Sequence, residues 1–267
     1  MLHVLGALAG WAIYLLSPTY RRHLRENVRQ AGLDDRVQRA AVGEAGKQML
    51  ELTSILSKTQ AEASALVVEA RGWERVEAAQ RAGKGIIFLT PHLGCFEITA
   101  QYYSGFGDIT VLYRAPRQAP IQQMILDGRQ RANLHLAPAD VSGVRALIKA
   151  LKKGQAVGML PDQAPRVGEG VWLKFFGRWA YTMTLAGRLT ETGATTLMAW
   201  GERLPGGRGY RLYIRPPLQP LAGATVDRAQ QINLEIEALI RECPVQYLWG
   251  YNRYKRPGGA KPPPEQE

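Results

Sequence analysis

The chain has 267 residues, of which 46% are hydrophobic and 21% are charged, and 34 Lys+Arg against 23 Asp+Glu give a formal net charge of +11. This composition can bury a sizeable core and excludes a disordered, collagen-like or coiled-coil chain. The two cysteines, Cys95 and Cys243, are too few for a disulfide scaffold and indicate a reducing compartment. The positive charge calls for an acidic partner: nucleic acid, an anionic membrane, or a phosphorylated or acidic substrate.

The first 17 residues form an uncharged, apolar run that is followed at once by Arg21, Arg22, His23 and Arg25. As a helix, this run spans roughly 25 Å at ~1.5 Å per residue, slightly less than a ~30 Å hydrocarbon core. Positive charge after the run, rather than before it, argues against a secretory signal and places the following domain in the cytoplasm. We therefore predict a membrane anchor or an interfacial helix over 1–17, with a buried core helix as the alternative.

Helical and strand patterns alternate along the rest of the chain. Apolar residues recur every three or four positions from Leu33 to Leu56, including Met49, and a second helical stretch covers Trp73–Ala82. Short apolar runs bounded by turn signals predict buried strands. The alternation predicts a single α/β domain over 18–257, with a mostly parallel central sheet flanked by helices, behind an N-terminal membrane-associated helical segment. The predicted strands are 85–90, 109–113, 156–160, 195–200 and 210–215, and the helices between them are 95–104, 119–131, 142–152, 181–192 and 226–241.

The C-terminal region is basic and aromatic. No acidic residue occurs from Cys243 to Pro264, and cations alternate with aromatic side chains. This interleaving suits a membrane interface or single-stranded nucleic acid, and the alternative is a last strand with a solvated tail. The final residues, 258–267, predict a disordered tail. The interleaved residues are Tyr247, Trp249, Tyr251, Arg253, Tyr254, Lys255, Arg256 and Lys261.

The sharpest local feature is the segment 90–97, Thr-Pro-His-Leu-Gly-Cys-Phe-Glu, which follows a predicted buried strand and opens a helix. Open α/β sheets place their sites at the carboxyl ends of strands. Five residues rotate a helical side chain by about 500°, so His92 and Glu97 can meet only if His92 lies in the turn before the helix. Pro91 and Gly94 favour such a turn. A carboxylate on one imidazole nitrogen makes the other a general base, and the alternative is a structural histidine.

Other chemistries have less support in the sequence. No G-x-S-x-G motif occurs for a serine hydrolase, and Cys95, three residues from His92, fits a small buried side chain better than a nucleophile. Neither H-E-x-x-H nor C-x-x-C occurs, and the P-loop and G-x-G-x-x-G motifs are also missing. We therefore expect neither a metal ion nor a nucleotide cofactor.

Two further segments place polar residues next to predicted strands. The segment 113–133 holds four arginines against a single acid, Asp127, and forked guanidinium groups suit phosphate or carboxylate oxygens. A solvated helix face is equally compatible with these arginines. In the segment 158–165, GMLPDQAP, Asp162 follows a strand and is either functional or the start of an Asx turn. The four arginines are Arg114, Arg117, Arg129 and Arg131.

Five motifs occur here in the order in which the late acyltransferases of lipid A biosynthesis carry them. The chain resembles this lauroyl/myristoyl transferase family, which belongs to the lysophospholipid acyltransferase superfamily marked by His-x4-Asp/Glu. The resemblance covers nearly the whole chain. The motifs are His-x4-Glu after a buried strand, YR-x-P with a downstream GRxRxN, GMLPDQ, FFGRWAYTMTLAGRLTETGA and PVQYLWGYNRYKRP.

The resemblance implies a membrane-bound acyltransferase at the cytoplasmic face of the bacterial inner membrane. It implies transfer of a fatty acyl chain from acyl carrier protein to a hydroxyl of a phosphorylated lipid A precursor. By position, His92 is implied to be the general base and Glu97 its orienting partner. We predict direct transfer with no covalent enzyme intermediate and no cofactor. The residues assigned to substrate are Arg114, Arg129, Asp162 and Gln163.

Two alternatives stay open at this point. The nearer one is the same fold acting on another acceptor, such as a glycerolipid or a lipoamino acid. The more distant one is a basic nucleic-acid-binding protein, for which the sequence contains no known binding module. The placement of the charge beside an apolar run and around the His-x4-Glu segment favours a phosphorylated lipid at an anionic membrane and no nucleic-acid partner.

Overall fold

The structure is a computed structural model that describes residues 1–114, 119–129 and 131–264. Over these residues helices and strands alternate along the chain, as the sequence predicts. The helices are α1 (Leu2–Leu16), α2 (Pro18–Gln30), α3 (Asp35–Leu56), α4 (Gln60–Ala65), α5 (Trp73–Ala82), α6 (Phe96–Tyr103), α7 (Ala119–Arg129), α8 (Val141–Lys152), α9 (Leu185–Thr190) and α10 (Thr225–Glu242). The strands are β1 (Val67–Arg71), β2 (Ile86–Leu89), β3 (Ile109–Tyr113), β4 (Leu134–Pro138), β5 (Ala156–Met159), β6 (Gly170–Phe175), β7 (Arg178–Met183), β8 (Thr195–Arg203) and β9 (Tyr210–Arg215).

The central element is a 7-stranded sheet with the order β1-β9-β8-β2-β5-β3-β4. Its neighbouring strands pair in parallel except for β8 and β9, which are antiparallel. Every residue of β2 is buried, because apolar clusters cover both faces of the sheet. The predicted α/β fold with a mostly parallel sheet flanked by helices is confirmed.

The register between β2 and β5 determines where the two chain segments leave the sheet. Leu89 pairs with Met159, and the strands are parallel neighbours. His92 comes three positions after Leu89, and Asp162 comes three positions after Met159. Because the carboxyl ends of parallel strands meet at one edge, these two side chains come together there.

The segment 170–190 differs from the prediction. The helix predicted over 181–192 is wrong at its start, because β7 continues to Met183 and α9 begins only at Leu185. β6 and β7 form an antiparallel hairpin around Phe176 and Gly177, whose φ angles are 46° and 75°. A two-residue hairpin turn of this kind is usually marked by Asn-Gly or Asp-Gly, and Phe-Gly lacks that signal.

The two edge strands, β1 and β4, were also not predicted from the sequence. β1 has no buried residue, and β4 is buried only at Leu134 and Ala137. An edge strand lacks the continuous apolar run by which the central strands are recognised.

Helix α1 packs on α3 through glycines. A Cβ on Gly46 would lie 2.0 Å from Gly6 O, and one on Gly10 would lie 2.2 Å from Val42 O. The opposite side of α1, which we call its outer face, is apolar and exposed. The helix is therefore buried on one side only. The outer face comprises Leu2, Val4, Leu5, Leu8, Trp11, Leu15 and Leu16.

In the described part of the chain, no single helix has the length and apolar character to cross a bilayer. Taken together, α1 and α2 meet that test, but their axes are bent by 102°. The helix predicted over 1–17 is present as α1, and its membrane association stays a prediction.

Helix α3 buries part of the predicted apolar stripe, such as Ala41 and Leu56, and a polar stripe beside it. Met49, which belongs to the apolar stripe, is 50% exposed, whereas Gln48 and Glu51 are 6% and 1% exposed. Glu44, Gln48 and Glu51 recur at helical spacing and form a polar stripe that turns inward. Arg203 of β8 pairs with both glutamates of this stripe. The polar groups are buried because they are paired, which hydrophobic periodicity does not report.

The C-terminal segment packs into the domain. Tyr247, Trp249 and Arg253 are 6%, 2% and 2% exposed, so the interpretation of these residues as a membrane or nucleic-acid interface is wrong. The described residues there form no last strand; a short 3₁₀ turn at Pro244–Gln246 and one bridge from Tyr247 replace it. Residues 258–264 have no regular helix or strand, and 265–267 lie outside the described residues. The disorder of 258–267 therefore stays a prediction.

Candidate active site

The turn between β2 and α6 has the geometry that the His-x4-Glu spacing requires. His92 lies in the turn, and Glu97 is the second residue of α6. Gly94 has a φ of 58°, and a Cβ there would lie 2.0 Å from Gly201 O. Only glycine fits this close approach at this φ. Cys95 N donates to Gly201 O at 2.8 Å, which fixes the turn against β8.

Two other segments hold the turn through its backbone. Gln48 Nε2 donates to Gly94 O at 2.8 Å and to His92 O at 3.3 Å. Leu248 N donates to His92 O at 3.1 Å, and Gly94 N donates to Gln246 O at 3.0 Å. Sequence reasoning missed these supporting residues. The helical spacing of Glu44, Gln48 and Glu51 is the sequence pattern that could have identified Gln48 as a buried residue.

The His92 ring is paired with Asp162. Nδ1 of His92 lies 2.8 Å from Oδ1 of Asp162, and the His92 backbone N donates to Oδ2 at 2.9 Å. An ionised carboxylate only accepts, so Nδ1 carries the proton of the neutral imidazole. The other ring nitrogen, Nε2, then accepts from the side-chain amide of Gln163 at 3.2 Å. This tautomer leaves Nε2 as the basic nitrogen.

Asp162 is almost fully buried, at 1% exposure, yet its pKa is lowered from the usual value. Burial acts to raise this pKa, but the His92 ring, its two hydrogen bonds and the charge of Arg253 outweigh burial. Arg253 is itself held by hydrogen bonds to Tyr181 O at 2.9 Å and Thr182 Oγ1 at 2.7 Å. The site therefore keeps a buried carboxylate ionised next to the imidazole.

Glu97 forms its ion pair with Arg129. Arg129 Nε donates to Glu97 Oε1 at 3.0 Å and Nη2 donates to Oε2 at 2.5 Å, while Gln101 Nε2 donates to Oε1 at 3.1 Å. Burial acts to raise the pKa of Glu97, but the Arg129 charge and these bonds lower it overall. A Glu97–His92 hydrogen bond, which the resemblance implies, is not found among the described residues. Asp162 occupies that position, because the β2–β5 register brings it to the ring.

Of the other arginines of segment 113–133, the two that the structure describes, Arg114 and Arg131, make their contacts away from His92. Arg114 is about half exposed and lies 3.6 Å from Glu169 Oε2. Arg131 donates to Gln101 Oε1 at 3.2 Å and to Lys58 O. Arg117 lies outside the described residues.

A cavity of about 790 Å³ lies between the end of α3 and α7. Leu56 and Met124 contribute apolar walls, and Gly128 and Arg131 flank Arg129 in sequence. His92 and Asp162 do not line it. Glu97 and Arg129 do not line it either, so the cavity is separate from both side-chain pairs.

Neither a thiol nucleophile nor a metal centre is formed by the described residues. Cys95 is 2% exposed, and burial raises the pKa of its thiol well above the usual value, which disfavours the thiolate. Over residues 1–114, 119–129 and 131–264, no three His, Cys, Asp or Glu side chains cluster as metal ligands would. The imidazole is the group at this site that is arranged to take up a proton.

Comparisons with known proteins agree with the sequence resemblance. Residues 28–256 match the family described as bacterial lipid A biosynthesis acyltransferase. The chain is 29% identical over 196 residues to the lipid A biosynthesis lauroyltransferase of Escherichia coli K12, covering 72% of this chain and 63% of the relative. It is 28% identical over 196 residues to the palmitoleoyltransferase of the same organism, with the same coverage. Its identity to the myristoyltransferase is 25% over 200 residues, or 73% of this chain and 62% of the relative. The matched region thus spans less than two thirds of these relatives.

Proposed function

This chain belongs to the bacterial lipid A biosynthesis acyltransferase family, and from that membership we propose that it transfers a fatty acyl chain from acyl carrier protein to a hydroxyl of a lipid A precursor. We place this reaction at the cytoplasmic face of the bacterial inner membrane. The observation that carries the proposal is the Asp162–His92–Gln163 arrangement, in which one imidazole nitrogen is fixed by a buried carboxylate and the other is basic.

In the proposed mechanism, His92 Nε2 takes the proton from the acceptor hydroxyl as the oxygen attacks the thioester carbonyl. Asp162 stabilises the imidazolium that forms, since the carboxylate already accepts from Nδ1 at 2.8 Å. The tetrahedral intermediate then collapses, the carbon–sulfur bond breaks, and His92 returns the proton to the leaving thiolate. The products are the acylated lipid and the free thiol of the carrier protein, and no covalent enzyme intermediate is formed.

Gln163 is a substrate-binding residue in this proposal. Its amide lies 3.2 Å from His92 Nε2, in the position that an attacking hydroxyl must take. The hydroxyl displaces the amide from the imidazole, and the amide then lies within hydrogen-bond reach of the reacting oxygens. Its N–H groups are suited to stabilise negative charge developing there.

Glu97 and Arg129 act as one unit in this proposal. The two-point pairing fixes the Arg129 guanidinium at the C-terminal end of α7 with its charge largely buried, at 14% side-chain exposure. A guanidinium held in this way is suited to phosphate or carbonyl oxygens of a substrate. Glu97 is therefore a positioning residue for Arg129, and Asp162 takes the role of orienting the base. Arg114, which is half exposed, contacts substrate nearer to solvent.

We propose that α1 lies in the membrane surface with its outer face in the lipid. Its 15 residues span roughly 22 Å at ~1.5 Å per residue, less than a ~30 Å hydrocarbon core. Its inner face is occupied by α3, which leaves only the outer face for lipid. A one-sided apolar helix is typical of interfacial attachment.

The test is acyl transfer by the purified full chain, with acyl carrier protein thioesters as donors and a lipid A precursor as acceptor, read by mass spectrometry. His92→Ala should lower the rate at least ~10²-fold, as expected for loss of a general base. His135→Ala is the matched control, because His135 forms a second His–Asp pair, with Asp108 at 3.0 Å, but is half exposed. If the protein transfers the acyl chain only to a glycerolipid or a lipoamino acid, the proposed lipid A acceptor is wrong. If His92→Ala transfers at the normal rate, the proposed mechanism is wrong.

A further inference from the structure

A polar cavity of about 280 Å³ lies between α2, the β6–β7 hairpin and the C-terminal segment. We call it the α2 cavity. The proposed chemistry makes no use of it, and neither His92 nor Asp162 lines it. The residues that line it are Arg22, His23, Glu26, Asn27, Arg178, Asn252, Tyr254 and Lys255.

The α2 cavity carries an excess of positive charge. Arg22, Arg178 and Lys255 contribute three cations, and Glu26 contributes one anion. Within the part of the chain that the structure describes, none of these four residues belongs to an ion pair. All three cations are exposed, and their grouping around one cavity without a paired carboxylate favours an anionic ligand.

The walls of the α2 cavity are fixed by contacts behind it. Asn27 donates to Trp249 O and to Tyr251 O, both at 2.7 Å, which joins α2 to the C-terminal segment. The Arg178 guanidinium lies 4.6 Å from the ring centre of Tyr254, and the Tyr254 hydroxyl donates to a backbone carbonyl of β6 at 3.0 Å. The chain segments that carry the three cations are therefore joined to one another, which lowers the entropy lost when a ligand binds.

The α2 cavity follows the outer face of α1 directly along the chain. Leu15 and Leu16, the last residues of that face, are 64% and 83% exposed, and Arg22 comes six positions after Leu16. The chain bends by 102° between the two helices. An interfacial helix buries its apolar face about 5–10 Å into the boundary between headgroups and acyl chains. Basic residues that follow such a helix closely in sequence lie near the headgroup phosphates.

We propose that the α2 cavity binds the phosphate group of an anionic lipid headgroup and thereby docks the protein on the membrane. The inference rests on the proposed function only for the membrane location of α1. Two guanidinium groups and an ammonium group suit phosphate oxygens. The volume, below the ~300 Å³ of the smallest drug-sized pockets, suits a single headgroup phosphate rather than a whole glycolipid.

The experiment is vesicle flotation of the full chain with phosphatidylcholine alone and with added phosphatidylglycerol, at ~0.1 M salt, where exposed charges are screened beyond ~10 Å. The test variant carries Arg22→Gln, Arg178→Gln and Lys255→Gln. The control variant carries Arg81→Gln, Arg145→Gln and Lys152→Gln, exposed positions on α5 and α8 with the same side-chain types and the same change in charge. We expect the phosphatidylglycerol-dependent gain in binding to fall about tenfold or more in the test variant and to stay near the wild-type value in the control.

A competition arm distinguishes the sources of the phosphate. Soluble glycerol phosphate, added at constant ionic strength, should release wild-type protein if a phosphate group alone fills the cavity. Lack of release, together with weaker binding of the test variant, assigns the cavity to the headgroup within a bilayer. Either outcome supports the proposal.

Equal losses in the two triple variants would show that bulk charge alone drives binding and would overturn the proposal. An unchanged gain in the test variant would overturn it as well. Matching thermal unfolding midpoints of the two variants exclude misfolding, since all six side chains are exposed. Acyl transfer is assayed separately in detergent, so wild-type protein that binds through the cavity but transfers no acyl chain would contradict the proposed function alone.

Discussion

The Nδ1 atom of His92 lies 2.8 Å from the Oδ1 atom of Asp162, although 70 positions separate the two residues in the chain. The contact follows from the sheet, in which β2 and β5 are parallel neighbours with Leu89 opposite Met159. Both residues leave the same edge of the sheet after equal numbers of positions. The imidazole is thus held by a residue outside its own sequence motif.

Gln48 should support catalysis without touching the reacting atoms. Gln48→Met keeps the side-chain volume but removes the hydrogen bonds to Gly94 O and His92 O. We expect kcat to fall about tenfold with little change in KM, and the free energy of unfolding to drop by about 1–3 kcal/mol. Gln38→Met is the matched control, because Gln38 is also buried on α3 and its Oε1 has no partner among the described residues. Equal kinetics of the two variants would refute the positioning role.

Much of the fold was predictable because the central strands are short apolar runs. The predicted strands 109–113 and 210–215 match β3 and β9 at both ends. The strand order was not predictable, because hydrophobic periodicity reports which face is buried and not which strand lies beside which. The partner of His92 depends on that order. A search for nearby carboxylates along the sequence therefore finds Glu97 and misses the contact with Asp162.

Supporting residues were missed for a second physical reason. Buried polar groups such as Gln48 and Arg253 depend on partners from distant parts of the chain. In a single sequence they look like solvated residues, as Arg253 did within the basic C-terminal segment. Their burial becomes favourable only when the fold supplies the hydrogen bonds.

The Glu97–Arg129 pair should make stability depend on pH. The pKa of Glu97 is lower in the folded state than its unfolded value of about 4.3. Its contribution is complete above that value and is lost as the pH falls through the folded pKa. Glu97→Gln should therefore lower the free energy of unfolding by about 3–5 kcal/mol near pH 7, because it leaves Arg129 buried without a counter-charge. At acid pH the loss should be smaller.

Urea unfolding of wild-type and Glu97→Gln protein between pH 3 and 7 checks this dependence. Glu77→Gln is the control, since Glu77 is exposed and lies 3.9 Å from Arg81 in a surface pair of about 0–1 kcal/mol. Equal losses of stability in the two variants, or a Glu97→Gln loss that does not change with pH, would contradict this pH dependence.

The glycine contact between α1 and α3 should tolerate no added methyl group at Gly46. A Cβ added at Gly46 would lie 2.0 Å from Gly6 O, whereas a Cβ added at Gly43 would make an ordinary contact at 3.5 Å with Ala7. Gly46→Ala should lower the free energy of unfolding by about 1–3 kcal/mol through overpacking. Gly43→Ala should be neutral or stabilising, because alanine favours a helix. Chemical unfolding of both variants measures these changes. A Gly46→Ala variant with the wild-type free energy of unfolding would disprove the close packing of α1 on α3.

The outer face of α1 should provide the attachment to neutral lipid. Leu8→Gln with Leu15→Gln removes two leucines that are 63% and 64% exposed, so the fold should be unaffected. Moving one exposed leucine from water into lipid is favourable by about 1.5–3 kcal/mol, so binding to phosphatidylcholine vesicles should fall at least tenfold per leucine. Leu218→Gln with Leu234→Gln, at comparably exposed positions, is the control. Equal flotation of both double variants would contradict interfacial attachment through α1.

The central claim is that Asp162 orients the base of an acyl transfer. Asp162→Asn keeps the size of the side chain, but its amide can donate to Nδ1, which moves the imidazole proton to Nε2 and removes the base. Asp108→Asn changes the partner of His135 in the same way, at an exposed site. Thermal unfolding of both variants accompanies the kinetics, because Asp162 is buried.

The most direct measurement is the kcat of Asp162→Asn for transfer from an acyl carrier protein thioester to a lipid A precursor. We predict that kcat falls by about 10²–10⁴-fold while Asp108→Asn stays at the wild-type value. A kcat of Asp162→Asn within about twofold of wild type would show that another group orients His92 and would contradict the mechanism.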